Sequence, residues 1–165
     1  MPEIDQALID ETWRRIRGYD AATAVAEAQR FAREQPAVLG FTREFLREFD
    51  EGTRGTALGF AYLLFQATET ARGAPLPSLP PEQIEERSAI NTEWLDDLER
   101  VESAPLQCWQ DRLPTSPVAL HIVRAYAPRR EHEEGSERRR RAHLLVFLIT
   151  LLDAWAGTQG NSPSL

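Results

Sequence analysis

The chain has 165 residues, enough for one domain or two small halves around a shared core, so neither a disulfide nor a metal is needed as a staple. Its net charge of -7 argues against a general nucleic-acid binder, which needs a basic face to neutralise phosphates. One cysteine, Cys108, rules out an internal disulfide and suits a reducing, cytoplasmic setting; the start, Met1-Pro2-Glu3-Ile4-Asp5, has no secretory pattern.

In chain order the pattern is helical nearly throughout, with no useful strand alternation. Ile4, Leu8, Ile9, Trp13 and Ile16 predict a first helix over 4–17, stopped by Gly18. Asp20 caps an alanine-rich second helix ending near Gln35. Pro36 opens a third, with Val38, Phe41, Phe45, Leu46 and Phe49 on one face and Gly52 at its close. Thr53 is the expected cap of a fourth helix, reaching Arg72. Its centre, 57–65, is apolar all round, as in a buried helix. Gly55 and Gly59 thin one face of it, which close approach of a neighbouring helix would offset.

Residues 73–81 hold four prolines and read as a linker between halves 1–72 and 82–157 of one domain, 1–157. Pro81 opens a long fifth helix to about Ser103, and a loop over 104–114 carries Cys108 and Trp109. Ser116 and Pro117 start a sixth helix that ends before Pro128, and Ser136 caps a seventh to about Trp155. The apolar run 142–157 is short of the roughly 20 residues that span a bilayer, so no membrane association is expected. Residues 158–165 read as a disordered tail. The expected fold is all-α: about seven helices in a bundle or short solenoid of two pseudo-repeated units.

The repeat rests on an echo between 35–45 and 116–126, in which proline, leucine and arginine recur at matching positions. It pairs Arg43 with Arg124 and, allowing a three-residue insertion, Glu69 with Asp153. Each acid lies near the C-terminal end of an apolar helix, where the helix dipole disfavours negative charge, so each needs a partner. The plain expectation is two ion pairs, Arg43 with Glu69 and Arg124 with Asp153. The alternative is a cleft between the halves, lined by Arg43, Tyr62, Glu69, Asn91, Trp94, Arg124 and Asp153.

Arg129, Arg130, Arg138, Arg139, Arg140 and Arg141 form a basic block that offers an anion or partner patch. Interleaved glutamates compensate it, with Glu134 to Arg138 and Glu137 to Arg141 at helical i, i+4 spacing. His121, His132 and His143 lack metal-ligand spacing, and no catalytic or cofactor motif surrounds Cys108 or any serine, so no metal, cofactor or catalytic residue is assigned. These features point to a helical protein-interaction module, a small acidic adaptor, chaperone or toxin-neutralising type, with a small-ligand binder or helical enzyme as the alternative. The partner would be a protein or a second copy of the chain, with Phe31, Trp94 and Trp109 at a homodimer surface.

Overall fold

Local capping chemistry sets where the helices begin. In the computed structural model, which describes residues 3–100, 116–128 and 134–158 (side chains at 94, 96–100, 116 and 134 excepted), α1 spans Gln6–Arg17, α2 Ala21–Glu34 and α3 Pro36–Phe45. They are followed by α4 at Glu51–Arg72, α5 at Pro81–Arg100, α6 at Ser116–Tyr126 and α7 at Glu134–Gly157; no strand occurs among the described residues. Asp5, Asp20 and Asp50 each accept the backbone N–H three residues on, at 2.8, 2.7 and 2.8 Å, satisfying a donor that the first turn leaves open.

Asp50, not Thr53, therefore caps α4. Gly52 falls in the first turn of α4 instead of closing α3, which ends at Phe45 and is followed by a turn. Ser136 likewise lies inside the first turn of α7, two residues beyond its start. Gly73 ends α4 in the left-handed region, at φ 65°, where a side chain would be strained. Thr158, expected in the tail, closes α7: its N–H donates to the Ala154 carbonyl at 3.3 Å. Residues 101–115, 129–133 and 159–165, which include Cys108, Trp109, His132, Arg129 and Arg130, lie outside the described residues.

The two apolar runs form the centre. Every residue from Leu144 to Leu152 is buried, and Trp155 is fully enclosed one turn later. Helix α7 packs most extensively on α5 and also meets α3, α4 and α6, so its stretch 144–152 is covered on every face. Helix α4 is buried at Ala57, Phe60, Ala61 and 63–68, but Leu58 and Tyr62 are partly covered and Gly59 is exposed. Phe31, Phe65 and Trp155 tie α2, α4 and α7 together, with ring centroids 5.2 and 6.3 Å apart. Phe41 stacks on Phe147 at 5.5 Å and joins α3 to α7. Each such side chain contributes about 1.5–3 kcal/mol on full burial.

The proline-rich segment is packed rather than free. Leu76 and Leu79 are buried in the main core cluster, which draws on both 1–72 and 82–157. Gln35, between α2 and α3 and fully buried, brackets the segment: its Nε2 donates to the Pro77 carbonyl at 3.0 Å and its Oε1 accepts the Leu79 N–H at 3.1 Å. Glu69 Oε1 accepts the Leu76 N–H at 3.1 Å. Gln35→Ala would leave the buried Leu79 N–H without a partner. We expect it to lower stability by about 2–4 kcal/mol in urea denaturation and to expose the Leu79 amide to hydrogen exchange. Wild-type stability and protection would contradict this role.

Candidate functional site

An apolar groove opens where α2 stands away from α4. The face of α2 turned to it carries Ala24, Ala28 and Ala32, four residues apart, and these methyl groups are too short to fill the gap. Ile16 of α1, Leu39 of α3, and Leu58 and Gly59 of α4 complete the apolar walls. The space is about 370 Å³. A Cβ added at Gly59 or Gly55 would meet nothing within 4 Å. No helix closes on the glycine face of α4 as expected, and at Gly59 the missing side chain becomes part of the groove. Phe31 closes one end, buried against Tyr62 and Phe65 with centroids 5.7 and 5.2 Å away. It is therefore a core residue and not part of a subunit surface.

The polar atoms of the groove are Tyr19, Tyr62 and Glu27. The Tyr62 hydroxyl donates to Glu27 Oε2 at 2.6 Å and lies 3.4 Å from the Tyr19 hydroxyl. Burial first, and then the bond to Glu27, push the Tyr62 phenol well above its ordinary range. Glu27 Oε2 also accepts from Gln66 Nε2 at 3.3 Å and Arg30 Nε at 3.4 Å. Arg30 then reaches Glu34 and Glu69, each at 3.0 Å, and its guanidinium lies 4.9 Å from the Phe65 ring centre. The hydrogen bond to Glu69 is the largest of the effects that raise the guanidinium's affinity for its proton.

A second, more open and more polar cleft of about 570 Å³ lies between α1 and α6. Asp10 Oδ1 bonds His121 Nε2 at 2.7 Å and also accepts from the Tyr126 hydroxyl. The bonds from Tyr126 and His121 lower the Asp10 pKa. Burial, then the bond to Asp10, push Tyr126 up to about 12. Trp13 stacks on Tyr126 at 4.7 Å, and the exposed Arg14 and Arg17 stand at the rim. His121 is thus committed to a cross-helix bond that fastens α1 to α6.

The residues expected to line one cleft are distributed over several places. Asn91 and Asp153 do meet: Asn91, buried, donates to Asp153 Oδ2 at 3.2 Å and to Thr150 Oγ1 at 3.3 Å. Tyr62 lines the apolar groove, which none of the other five with described side chains shares. Glu69 takes Arg30 as its partner, not Arg43, which is exposed on α3. Arg124 is exposed on α6, and Asp153 is met by Asn91 of α5. The side chain of Trp94 lies outside the described residues. The two acids matched in the echo thus find partners on α2 and α5, the helices that precede their own by two.

The arginine block is largely engaged within the fold. Glu137 accepts from Arg140 at 2.8 Å and from Arg141 at 3.1 Å, the latter being the predicted i, i+4 pair. Burial opposes the Glu137 charge, but the bonds from Arg140 and Arg141 outweigh it and lower its pKa. Arg140 is buried and also donates to the Pro128 carbonyl. Arg139 bonds Glu48 at 2.6 Å and lies over Phe49, while Arg138 is exposed.

Comparison with protein-family models, curated proteins and solved structures found no match. Sequence reasoning missed Tyr19, Glu27, Asp10 and Tyr126. The signal for the groove was present in the alanines at 24, 28 and 32 and in Gly59, two gaps on helices whose relative placement the sequence did not reveal.

Both perturbed phenols have raised values, so each stabilises the fold fully below its unfolded pKa of about 10 and loses that contribution as pH climbs through the folded value. Absorbance titration should find Tyr62 and Tyr126 still protonated near pH 11 in the folded protein, with stability falling as pH rises from about 10. Tyr62→Phe and Tyr126→Phe should each remove part of the late-titrating absorbance; ordinary titration of both phenols would contradict the geometry.

Proposed function

We propose that this protein binds a small, largely apolar molecule in the groove between α1, α2 and α4. One observation carries the reading: a groove of about 370 Å³ with apolar walls whose polar atoms are those of Tyr19, Tyr62 and Glu27. Ligand sites are concave, mostly apolar clefts of roughly 300–1,000 Å³ with a few placed polar groups. Glycine in a helix interior costs about 1 kcal/mol against alanine, and at Gly59 no packing partner offsets that cost.

The interaction-module reading has less to rest on. Among the described residues, Val25 and Ile90, on different helices, are the exposed large hydrophobic side chains. Isolated apolar residues of that kind are ordinary on a monomer surface. Three of the described arginines in the basic block are tied to Glu48 or Glu137, which weakens its claim as a partner patch.

Filling the groove tests the reading. Gly59→Leu and Ala28→Leu place bulk in the space, and Gly59→Leu also gains helix propensity of up to about 1 kcal/mol. By isothermal titration calorimetry, octanol should bind the unmodified protein saturably. Both variants should keep their melting temperature or raise it while losing octanol affinity by about tenfold or more. Equal affinity for filled and open grooves, or no saturable binding to the unmodified protein, would overturn the proposal.

A further inference from the structure

The direction of the hydrogen bonds in the groove restricts the head group of its ligand. We infer that the groove takes a protonated amine carried on an apolar body, an inference that rests on the ligand-binding reading above. The Tyr62 hydroxyl has one proton and gives it to Glu27 Oε2 at 2.6 Å. The Tyr62 proton is thereby committed to Glu27, whereas the Tyr19 hydroxyl, 3.4 Å from Tyr62 and beyond the usual O–H···O range, can turn toward a ligand as donor or acceptor. Glu27 offers only lone pairs, so a head group that meets it must donate.

Charge selects among donors. Glu27, Glu34 and Glu69 share Arg30, and Arg15 joins from the far side through Gln66 Oε1 at 3.3 Å. Of the residues that line the groove, Glu27 alone carries a charge, so the site is negative where a head group would sit. An ammonium supplies both the donor protons and the missing positive charge. A hydroxyl supplies a donor without charge. A carboxylate meets like charge at Glu27, and a charged group buried without a compensating partner is costly.

The test is calorimetric titration near pH 7 with octylamine, octanol and octanoate, three probes with the same chain and different heads. Octylamine should bind about tenfold tighter than octanol, and octanoate at least about tenfold weaker than octanol, as expected where a charge-assisted bond replaces a neutral one. Glu27→Gln should bring the amine-to-alcohol ratio close to one, because the loss of charge weakens octylamine far more than octanol. Tyr19→Phe, at a partly exposed position that the fold does not rely on for core packing, should weaken octylamine and octanol but not the variants' thermal stability. Any other order among probes that bind overturns the inference and leaves the groove standing as an apolar site. Failure of all three to bind overturns the groove itself.

Discussion

Helix α2 is held on at one end and held off along its length, and the groove depends on that arrangement. Phe31 is its one buried side chain, set against Phe65 and Tyr62 of α4, and Arg30 beside it reaches Glu69. Toward its start the inward positions are alanines. Alanine is the strongest helix former, so the helix persists without the long side chains that would draw it onto α4. Helix α4 meets it with Gly59, and the two short surfaces leave a gap where a typical helix pair would interdigitate.

The polar groups at this end locate α2 more than they stabilise the protein. The Arg30 pairs are partly exposed, with side-chain exposures of 15–34%, and exposed ion pairs contribute about 0–1 kcal/mol each. Their geometry nonetheless ties together three pieces of chain: α2, the end of α4, and the segment at Leu76 through Glu69. Gln35 does the heavier work, because its side chain is buried and its bond from the Leu79 N–H lies where water cannot replace it. Arg30 orients, and Gln35 holds.

Much of the fold was legible in sequence. The runs 57–65 and 144–152 read as central helices because apolar residues fill every face; the structure buries 144–152 throughout and 57–65 except on the face of Leu58, Gly59 and Tyr62. Asp20, Pro36 and Pro81 marked helix starts through chemistry confined to a few neighbouring residues. At the fourth helix the expected cap, Thr53, lies inside the first turn, and Asp50 caps instead by accepting the Thr53 N–H. The candidate site was legible only in pieces. Tyr62 and Glu69 were singled out, but the partner of Glu69 lies 39 residues away on α2, a distance that periodicity does not encode. Gly59 was noticed and misread, because a glycine on a helix serves close packing and empty space equally well until its neighbour's position is known.

The most direct measurement is the position of a bound probe, read from intermolecular nuclear Overhauser effects between octylamine and the isotope-labelled protein. The account predicts that the alkyl protons contact the methyl groups of Ala24, Ala28, Leu39 and Leu58, and that the protons next to nitrogen contact the rings of Tyr19 and Tyr62. Contacts confined to the α1–α6 cleft or scattered over the surface, with none to the alanine face of α2, would contradict it.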